Sequence, residues 1–495
     1  MAAFNEAERL RMVHRFQHEH DVSRLRVDGL KVWPIVILQL AKLTHKNLGI
    51  RSALDVAKLA LREALSFGRM TYDKHRDRAN SSPMRQSCDA LFLTNPTRRA
   101  RIEDTYYDRI CDPFVDALRR VGLRCSVLEW SFDHEYRVPR HNPSALIQGG
   151  IDWVVLKNLL SGRRPRLEFG LLDSGAFRAL LDYHQVSPSV FARDLVRSAR
   201  FTLALRDYFM GNLDETGASL AFFFPYYGAV SFGFNLACRA LGIRTVEVQH
   251  GYYGDTMLLY TGFRNVDCAY DLLPDAIWGW EERDRDAVRA WGDDESLLPR
   301  VHVGGNLWNN LWKFPGVNDN RYLSRYTGLS LRPGDRRVVL LTLPPVFDIP
   351  SWLPDTIRAT AGTMRWHVRY HHHMKHAAAA QYRAAFRNLG NVEFELANRL
   401  PLPVLLSHCD VHVTVNSSSV VEAREFNRKS VIISETGARI FAALIEEGWA
   451  CSALTGDELR VALGRFLAEP RPTAARTPAR SNSELVRDFT AGLTQ

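Results

Sequence analysis

From residue 337 to residue 468 the chain alternates short apolar runs with longer amphipathic ones. Runs of buried-strand length fall at 337–343, 365–371, 392–396, 410–415 and 430–434. Helical spacing fills the gaps at 376–388, 402–408, 419–427, 438–447 and 457–468. A chain with this rhythm has few ways to fold, because parallel strands need crossovers and helices are the usual crossover. The same rhythm occurs earlier. Strands are expected at 89–94, 124–130, 220–224, 245–248 and 276–280, and a further strand end at 302–306. Helices are expected over 105–121, 189–208, 229–241 and 281–291. The expected class is therefore α/β, with two halves of parallel strands and crossover helices.

Boundaries follow from composition. Residues 1–87 read as a helical N-terminal extension, with a helix over 51–68 and a polar loop over 72–87. Residues 88–306 form the first α/β domain, and 307–335, rich in Asn, Trp, Pro, Gly and Tyr, form a linker. Residues 336–470 form the second domain, and 471–495 a Pro/Ala/Arg-rich tail with a terminal helix near 483–493. The stretch 131–187 shows no regular pattern. The apolar run 32–40, interrupted by Pro34 and Gln39, is too short to span a bilayer. It reads as a buried helix. Peripheral contact with a membrane is the alternative, because Lys31, Lys42 and Lys46 flank it.

Composition narrows the function classes. Of 495 residues, 46% are hydrophobic and 24% charged, as in ordinary globular proteins. A net charge of +9, from 64 basic and 55 acidic residues, suits anionic partners. No dense Lys/Arg run with interleaved aromatics suggests a nucleic-acid surface. The seven cysteines are scattered without a C-x-x-C pair, which points to reduced thiols and a cytoplasmic location. The N-terminus is mixed and charged, so no signal peptide is expected.

The first chemical signal is Arg244-Thr-Val-Glu-Val-Gln-His-Gly251. A strand delivers His250 at its carboxyl end, where open parallel sheets bind ligands. Gly251 is expected to turn the chain sharply there. Histidine suits proton transfer near neutral pH; a histidine that merely hydrogen-bonds a loop is the plainer alternative. Asp255 and Asp108 are lower-ranked candidate bases, the first read otherwise as a solvated loop carboxylate and the second as part of an amphipathic helix. Arg98, Arg99 and Arg101 follow the first strand and would meet an anionic acceptor, or else form a solvated loop.

The second signal lies in two strand ends. Trp366-His-Val-Arg-Tyr-His-His-His373 places basic and imidazole groups at one of them. Adjacent residues of a strand alternate faces, and no carboxylate partner is spaced for a metalloenzyme, so no metal is expected. Asp410-Val-His-Val-Thr-Val-Asn-Ser-Ser-Ser-Val-Val-Glu-Ala423 ends a strand in serines just before a helix. Hydroxyls and free N–H groups there would hold a phosphate, with Glu422 in the first turn. A capping box from Ser419 to Glu422 is the plainer reading.

In order, these elements resemble the GT-B class of nucleotide-sugar-dependent glycosyltransferases. The likeness is to bacterial capsule and surface-polysaccharide enzymes, including polysialyl- and Kdo-transferase types and related glycerophosphotransferases. It rests on Gln249-His250-Gly251, a Gly-Asn strand end before the linker, Arg369-Tyr-His371, and Ser417-Ser418-Ser419-Val-Val-Glu422-Ala423, and it covers roughly residues 88–470. The resemblance implies two Rossmann-like domains facing across a cleft. It implies donor binding by Arg369, His371, Ser417, Ser418, Ser419 and Glu422. His250 becomes the catalytic residue, with Gln249, Gly251, Arg98 and Arg99 on the acceptor side. Transfer would need no metal and no cofactor beyond the nucleotide-sugar co-substrate. The acceptor would be a glycan or lipid-linked glycan at the inner face of the membrane. The chain departs from the family in having His372 where proline is usual. It also lacks the acidic pair before glycine of sialyl-type members, so no catalytic acid is carried over.

Three other readings fit the same residues. A sugar-nucleotide epimerase would release free sugar without an acceptor. A CDP-alditol phosphotransferase would take a different donor. A non-catalytic scaffold would bind nucleotide and turn nothing over.

Overall fold

The structure is a computed structural model that describes residues 6–42, 84–131, 136–160, 167–168, 174–183, 186–253, 257–318, 326, 334–345, 348–371, 374, 376–469 and 480–493. The described residues fall into two compact units. The first takes in those up to Arg99, Thr105–Asn306 and those from Leu485 onward; the second takes in Ala100–Asp104 and Leu307–Glu484.

The first unit is built on seven strands: β1 (Ala90–Thr94), β2 (Cys125–Glu129), β3 (Ala145–Leu146), β4 (Leu220–Phe223), β5 (Arg244–Val248), β6 (Ala276–Gly279) and β7 (Arg300–Val303). Their order in the sheet is β7-β6-β5-β4-β1-β2-β3, all parallel. The order reverses direction between β1 and β4, which makes that junction a topological switch point. Most of these strands are buried along their whole length, as a parallel sheet covered on both faces requires.

The second unit repeats the plan with β8 (Arg337–Leu343), β9 (Met364–Tyr370), β10 (Val392–Glu393), β11 (Val411–Thr414), β12 (Ser430–Ile432) and β13 (Ala450–Ser452). Its order is β10-β9-β8-β11-β12-β13, again all parallel. Each unit is thus a doubly wound, Rossmann-like α/β sheet, and the expected class holds.

Several local expectations change. The helix expected over 105–121 begins as the extended segment Thr105–Asp108 and becomes helical only at Cys111–Arg120. Tyr106 exchanges backbone hydrogen bonds with Pro139 and His141 at 2.8 and 3.0 Å, which holds the segment straight. The strand expected over 392–396 stops at Glu393, because a helix starts at Glu395. The helix at 438–447 is two short ones, Glu435–Ile440 and Ala442–Glu446. Strand β13 was not foreseen: its three residues carry no alternation. The irregular stretch 131–187 contains β3 and the helices Gln148–Leu160 and Gly175–Tyr183. The helix expected over 51–68 lies outside the described residues.

The apolar run 32–40 is committed to the core. It lies in the helix Trp33–Lys42, whose Trp33, Ile35, Val36, Ile37, Leu38 and Leu40 are buried in the first unit's hydrophobic cluster. Among the described residues, no helix is long and apolar enough to cross a membrane.

The N-terminal helices also latch onto the segment that follows β5. Buried Gln17 accepts hydrogen bonds from Trp33 Nε1 (2.9 Å) and the Arg264 N–H (3.1 Å), and donates to the Gly262 carbonyl at 2.6 Å. His14 Nε2 meets the Thr261 carbonyl at 2.6 Å. Gln17→Ala would strand three buried polar groups, which should cost roughly 2–4 kcal/mol. Urea unfolding followed by tryptophan fluorescence measures it; an unchanged midpoint would show that the latch carries no stability.

Candidate functional site

The carboxyl ends of β1, β4 and β5 converge beside the first unit's switch point. Strand β4 runs on through Phe224, Pro225, Tyr226 and Tyr227 to Gly228. Gly228 has φ 109°, a conformation that only glycine adopts easily, and it opens the helix Ala229–Ala240. Strand β5 carries Glu247 in its interior and is followed directly by Gln249 and His250.

Glu247 is fully buried between Val246 and Val248. Its Oε1 accepts the Tyr260 hydroxyl at 2.5 Å and the Tyr226 N–H at 3.1 Å. The same oxygen lies 3.9 Å from His250 Nδ1, whose imidazole is 7% exposed. Among the described residues, neither Glu247 Oε2 nor His250 Nδ1 has a hydrogen-bond partner. His250 Nε2, on the other side of the ring, is 3.5 Å from the Tyr227 hydroxyl. Phe224, Tyr227 and Tyr260 surround the imidazole with ring centroids 6.1–6.4 Å away. Tyr253 stacks on Tyr260 at 3.7 Å.

Burial drives both members of this pair toward their neutral forms. It pushes the Glu247 carboxyl up to about 8, against the hydrogen bonds from Tyr260 and Tyr226. Burial lowers His250 to about 3, and the positive charge of Arg98 adds to the effect. At neutral pH the imidazole is therefore unprotonated, with one nitrogen toward a carboxyl group and the other toward Tyr227.

Arg98 is the cation of this site. It ends the short turn Pro96–Arg98 after β1 and is half-buried. Burial lowers its pKa to about 10, helped by Arg109 and opposed by Tyr227, Asp108 and Tyr260, so it stays charged at neutral pH. Its guanidinium makes no hydrogen bond or ion pair among the described residues. Its surroundings place it with Tyr227, Tyr260 and His250.

The neighbouring candidates have other employment. Arg99, expected beside Arg98 at an acceptor, points into the protein. Its guanidinium meets Glu129 through two hydrogen bonds of 3.0 and 3.2 Å, in a cluster with Arg140 and Ser144. The chain passes from the turn that ends at Arg98 into the extended segment Arg99–Ile102, and this step separates the two arginines. Gln249 ties the end of β5 to the next crossover: its Nε2 donates to the Gly251 carbonyl and to Asp284, both at 3.0 Å, and its Oε1 accepts the Trp280 N–H at 2.6 Å. The chain bends at Gly251, but the residue is not in the left-handed region and a Cβ there would meet nothing within 4 Å, so the bend does not require glycine. Asp108 is buried at the end of an extended segment, accepting the Ile110 and Cys111 N–H groups and the Thr94 hydroxyl. It caps the helix Cys111–Arg120 instead of lying within it. Asp255 lies outside the described residues.

In the second unit, β9 and β11 flank β8, so His371 and Ser417 leave the same carboxyl edge. Their strands are roughly 10 Å apart. His371 is half-buried, as are Ser417, Ser418 and Glu422. The helix here is Ser419–Glu425, with Ser418 at its N-cap and no side-chain cap bond, so the expected capping box from Ser419 does not form. Ser419 is instead buried. Its hydroxyl bonds Thr342 (3.1 Å) and His412 Nε2 (3.2 Å). His412 in turn meets Ser430 through Nδ1 at 2.9 Å. Burial holds this imidazole neutral, lowered to about 3. The network staples β8, β11 and β12 together. Arg369 also turns inward, donating to the Ala397 and Leu400 carbonyls at 2.6 Å each, where it closes the end of the helix Glu395–Arg399. Of the six donor-side candidates, His371, Ser417 and Ser418 thus stand at the edge itself. Ser419 and Arg369 hold the framework behind it, and Glu422 sits in the first helical turn.

The sequence reading missed Glu247, Tyr226, Tyr227 and Tyr260. One signal was available: a glutamate set between two valines of a strand, three residues before the histidine.

No family model matches the chain, and no curated protein does. Solved structures give only distant likenesses. The UDP-GlcNAc 2-epimerase from Neisseria meningitidis bound to UDP-GlcNAc is 9% identical, with a TM-score of 0.46 over 82% of this chain and 99% of that one. The UDP-GlcNAc 2-epimerase from Methanocaldococcus jannaschii is 12% identical, with a TM-score of 0.45 over 81% and 99%. The calicheamicin glycosyltransferase CalG4 is 13% identical, with a TM-score of 0.46 over 83% and 99%. Likenesses this low do not bear on activity. The two-unit α/β description rests on strand order alone.

The neutral pair predicts a pH signature. Folded Glu247 keeps its proton to about pH 8, against an ordinary value of 4.5. Its contribution to stability is full below 4.5 and is lost as pH rises through 8. His250, folded near 3 against an ordinary 6.5, works with the opposite sign: its contribution is present above 6.5 and is lost as pH falls through 3. Between 6.5 and 8 only the glutamate of this pair acts. Glu247→Gln should therefore abolish a stability loss of roughly 2 kcal/mol over that window. The readout is the difference between variant and parent in denaturant midpoint at the two pH values. A difference that stays constant with pH contradicts the buried neutral carboxyl.

Proposed function

We propose that the chain is a nucleotide-sugar-dependent glycosyltransferase in which the first unit supplies the base and the second holds the nucleotide. The observation that carries this reading is the neutral imidazole of His250, held at the carboxyl edge beside a switch point with Glu247 behind it. The Q-H-G and serine-bearing strand ends of the sequence add to it. An acceptor hydroxyl at Nε2 gives up its proton to the imidazole. The acceptor oxygen bonds the anomeric carbon, the bond from that carbon to the donor phosphate breaks, and the nucleotide leaves with the electron pair. The positive charge then created on His250 lies 3.9 Å from the Glu247 carboxyl group. The carbonyl dipole of that group would orient the ring and stabilise the imidazolium with no further proton moved. The hydrogen bond from Tyr260 fixes the carboxyl group in advance.

Arg98, without a partner among the described residues, fits an acidic group on the acceptor. The resemblance names that acceptor as a surface glycan or its lipid-linked precursor, such as a capsule, lipopolysaccharide or exopolysaccharide chain. His371, Ser417 and Ser418 at the second unit's carboxyl edge would hold the donor phosphates. The remaining donor candidates act through the framework: Arg369 by closing a neighbouring helix, and Ser419 by anchoring the strand end.

His250→Ala is expected to lower kcat by about 10²–10⁴. The nucleotide-induced rise in melting temperature should stay intact. Transfer from a panel of nucleotide sugars to a glycan extract, followed by product mass, reads the first effect. Full turnover in the variant would remove His250 as the base. Free sugar released without acceptor would make the chain an epimerase. Nucleotide binding without turnover of any donor would make it a scaffold.

A further inference from the structure

The amino-terminal edge of the first sheet, opposite the edge that carries His250, holds a concavity of about 720 Å³. Four arginines line it, Arg206, Arg239, Arg244 and Arg300, with two carboxylates, Asp271 and Asp275. Two of the arginines are already paired. Arg206 is held by Asp207 at 2.7 and 2.9 Å, and Arg239 forms an ion pair with Asp275. The other oxygen of Asp275 accepts the N–H and the hydroxyl of Thr245 at 2.9 Å each, so this carboxylate is saturated.

Arg244 and Arg300 are different. Both are exposed, and neither has a hydrogen-bond or ion-pair partner among the described residues. Each begins a strand, β5 and β7, with β6 between them. Ala276 of β6 registers with Val246 on one side and with Arg300 on the other, so Arg244 starts two residues earlier than Arg300. That geometry sets their backbones roughly 12 Å apart. Two long side chains rooted this far apart can each take a separate anionic group. A ligand that satisfies both must carry charge across the concavity. Its volume falls within the range of small-molecule sites, and buried Leu236 and Ile243 give it an apolar wall.

The geometry points to a second binding site here, for an oligoanion bearing two or more phosphate or carboxylate groups. Arg244 and Arg300 hold its ends and the paired Arg239 supplies field between them. Asp271 opposes it from the rim and disfavours weakly charged ligands. The site is independent of the reading of His250, because it occupies the other edge of the sheet.

The test is calorimetric titration of the full chain at fixed ionic strength. Inorganic tripolyphosphate and an oligogalacturonate are used in parallel, to separate phosphate from carboxylate recognition. At least one of them should bind. Arg244→Ala and Arg300→Ala should each weaken that binding about tenfold. Arg244→Lys should keep much of it, and Asp271→Asn should strengthen it. All three positions are exposed, and melting temperatures verify that the variants fold. Unchanged affinity in the Arg244→Ala/Arg300→Ala double variant, or no heat from either anion with the parent at millimolar concentration, overturns the site.

Discussion

A carboxyl group inside a parallel sheet must be held by hydrogen bonds or lose its charge. Glu247 does both, and the first unit is arranged around it. The Tyr260 hydroxyl and the Tyr226 N–H fix one oxygen, which faces the imidazole of His250. Tyr260 is itself held by its neighbours. Its stacking on Tyr253, the bond from Trp291 Nε1 to its carbonyl, and the clasp of Gln17 and His14 on Thr261, Gly262 and Arg264 all keep this segment in place. A line of contacts thus runs from the N-terminal helix to the candidate base. The extension at the start of the chain is part of the site's support.

The second unit solves a similar problem without charge. Its sheet interior contains His412, kept neutral by burial and ringed by the hydroxyls of Thr342, Ser419 and Ser430. These bonds cross three strands and reach the first residue of the helix that follows β11. They place Ser417 and Ser418 at the carboxyl edge by anchoring the residue next to them. Arg369 acts similarly one strand away, donating into the end of a short helix.

The sheets were legible because strand length and helix spacing survive in the sequence even where the boundaries shift. Individual side chains were less so, for a geometric reason. Arg98 and Arg99 are adjacent, yet only one faces the crevice while the other is buried against Glu129. Ser418 and Ser419 are adjacent, yet one stands at the edge and the other in the core. Each pair straddles a change of backbone conformation, from a turn into an extended segment at Arg99 and from an N-cap into a helix at Ser419, and a sequence read without the backbone cannot assign the faces. Glu247 escaped notice because its partners come from segments before and after its strand. Thr105–Asp108 looked helical, yet it pairs with the adjacent Arg99–Ile102 in a two-stranded sheet, and the 139–141 segment, more than thirty residues away, bonds it as well.

The central claim is that the chain binds a nucleotide sugar. A thermal-shift screen of the full chain against CMP, CDP, UDP, GDP and their sugar conjugates tests it most directly, since a ligand of the folded state raises the melting temperature by mass action. A selective rise with one nucleotide, lost in His371→Ala, is the predicted result. The absence of a shift with every nucleotide and conjugate would contradict the account.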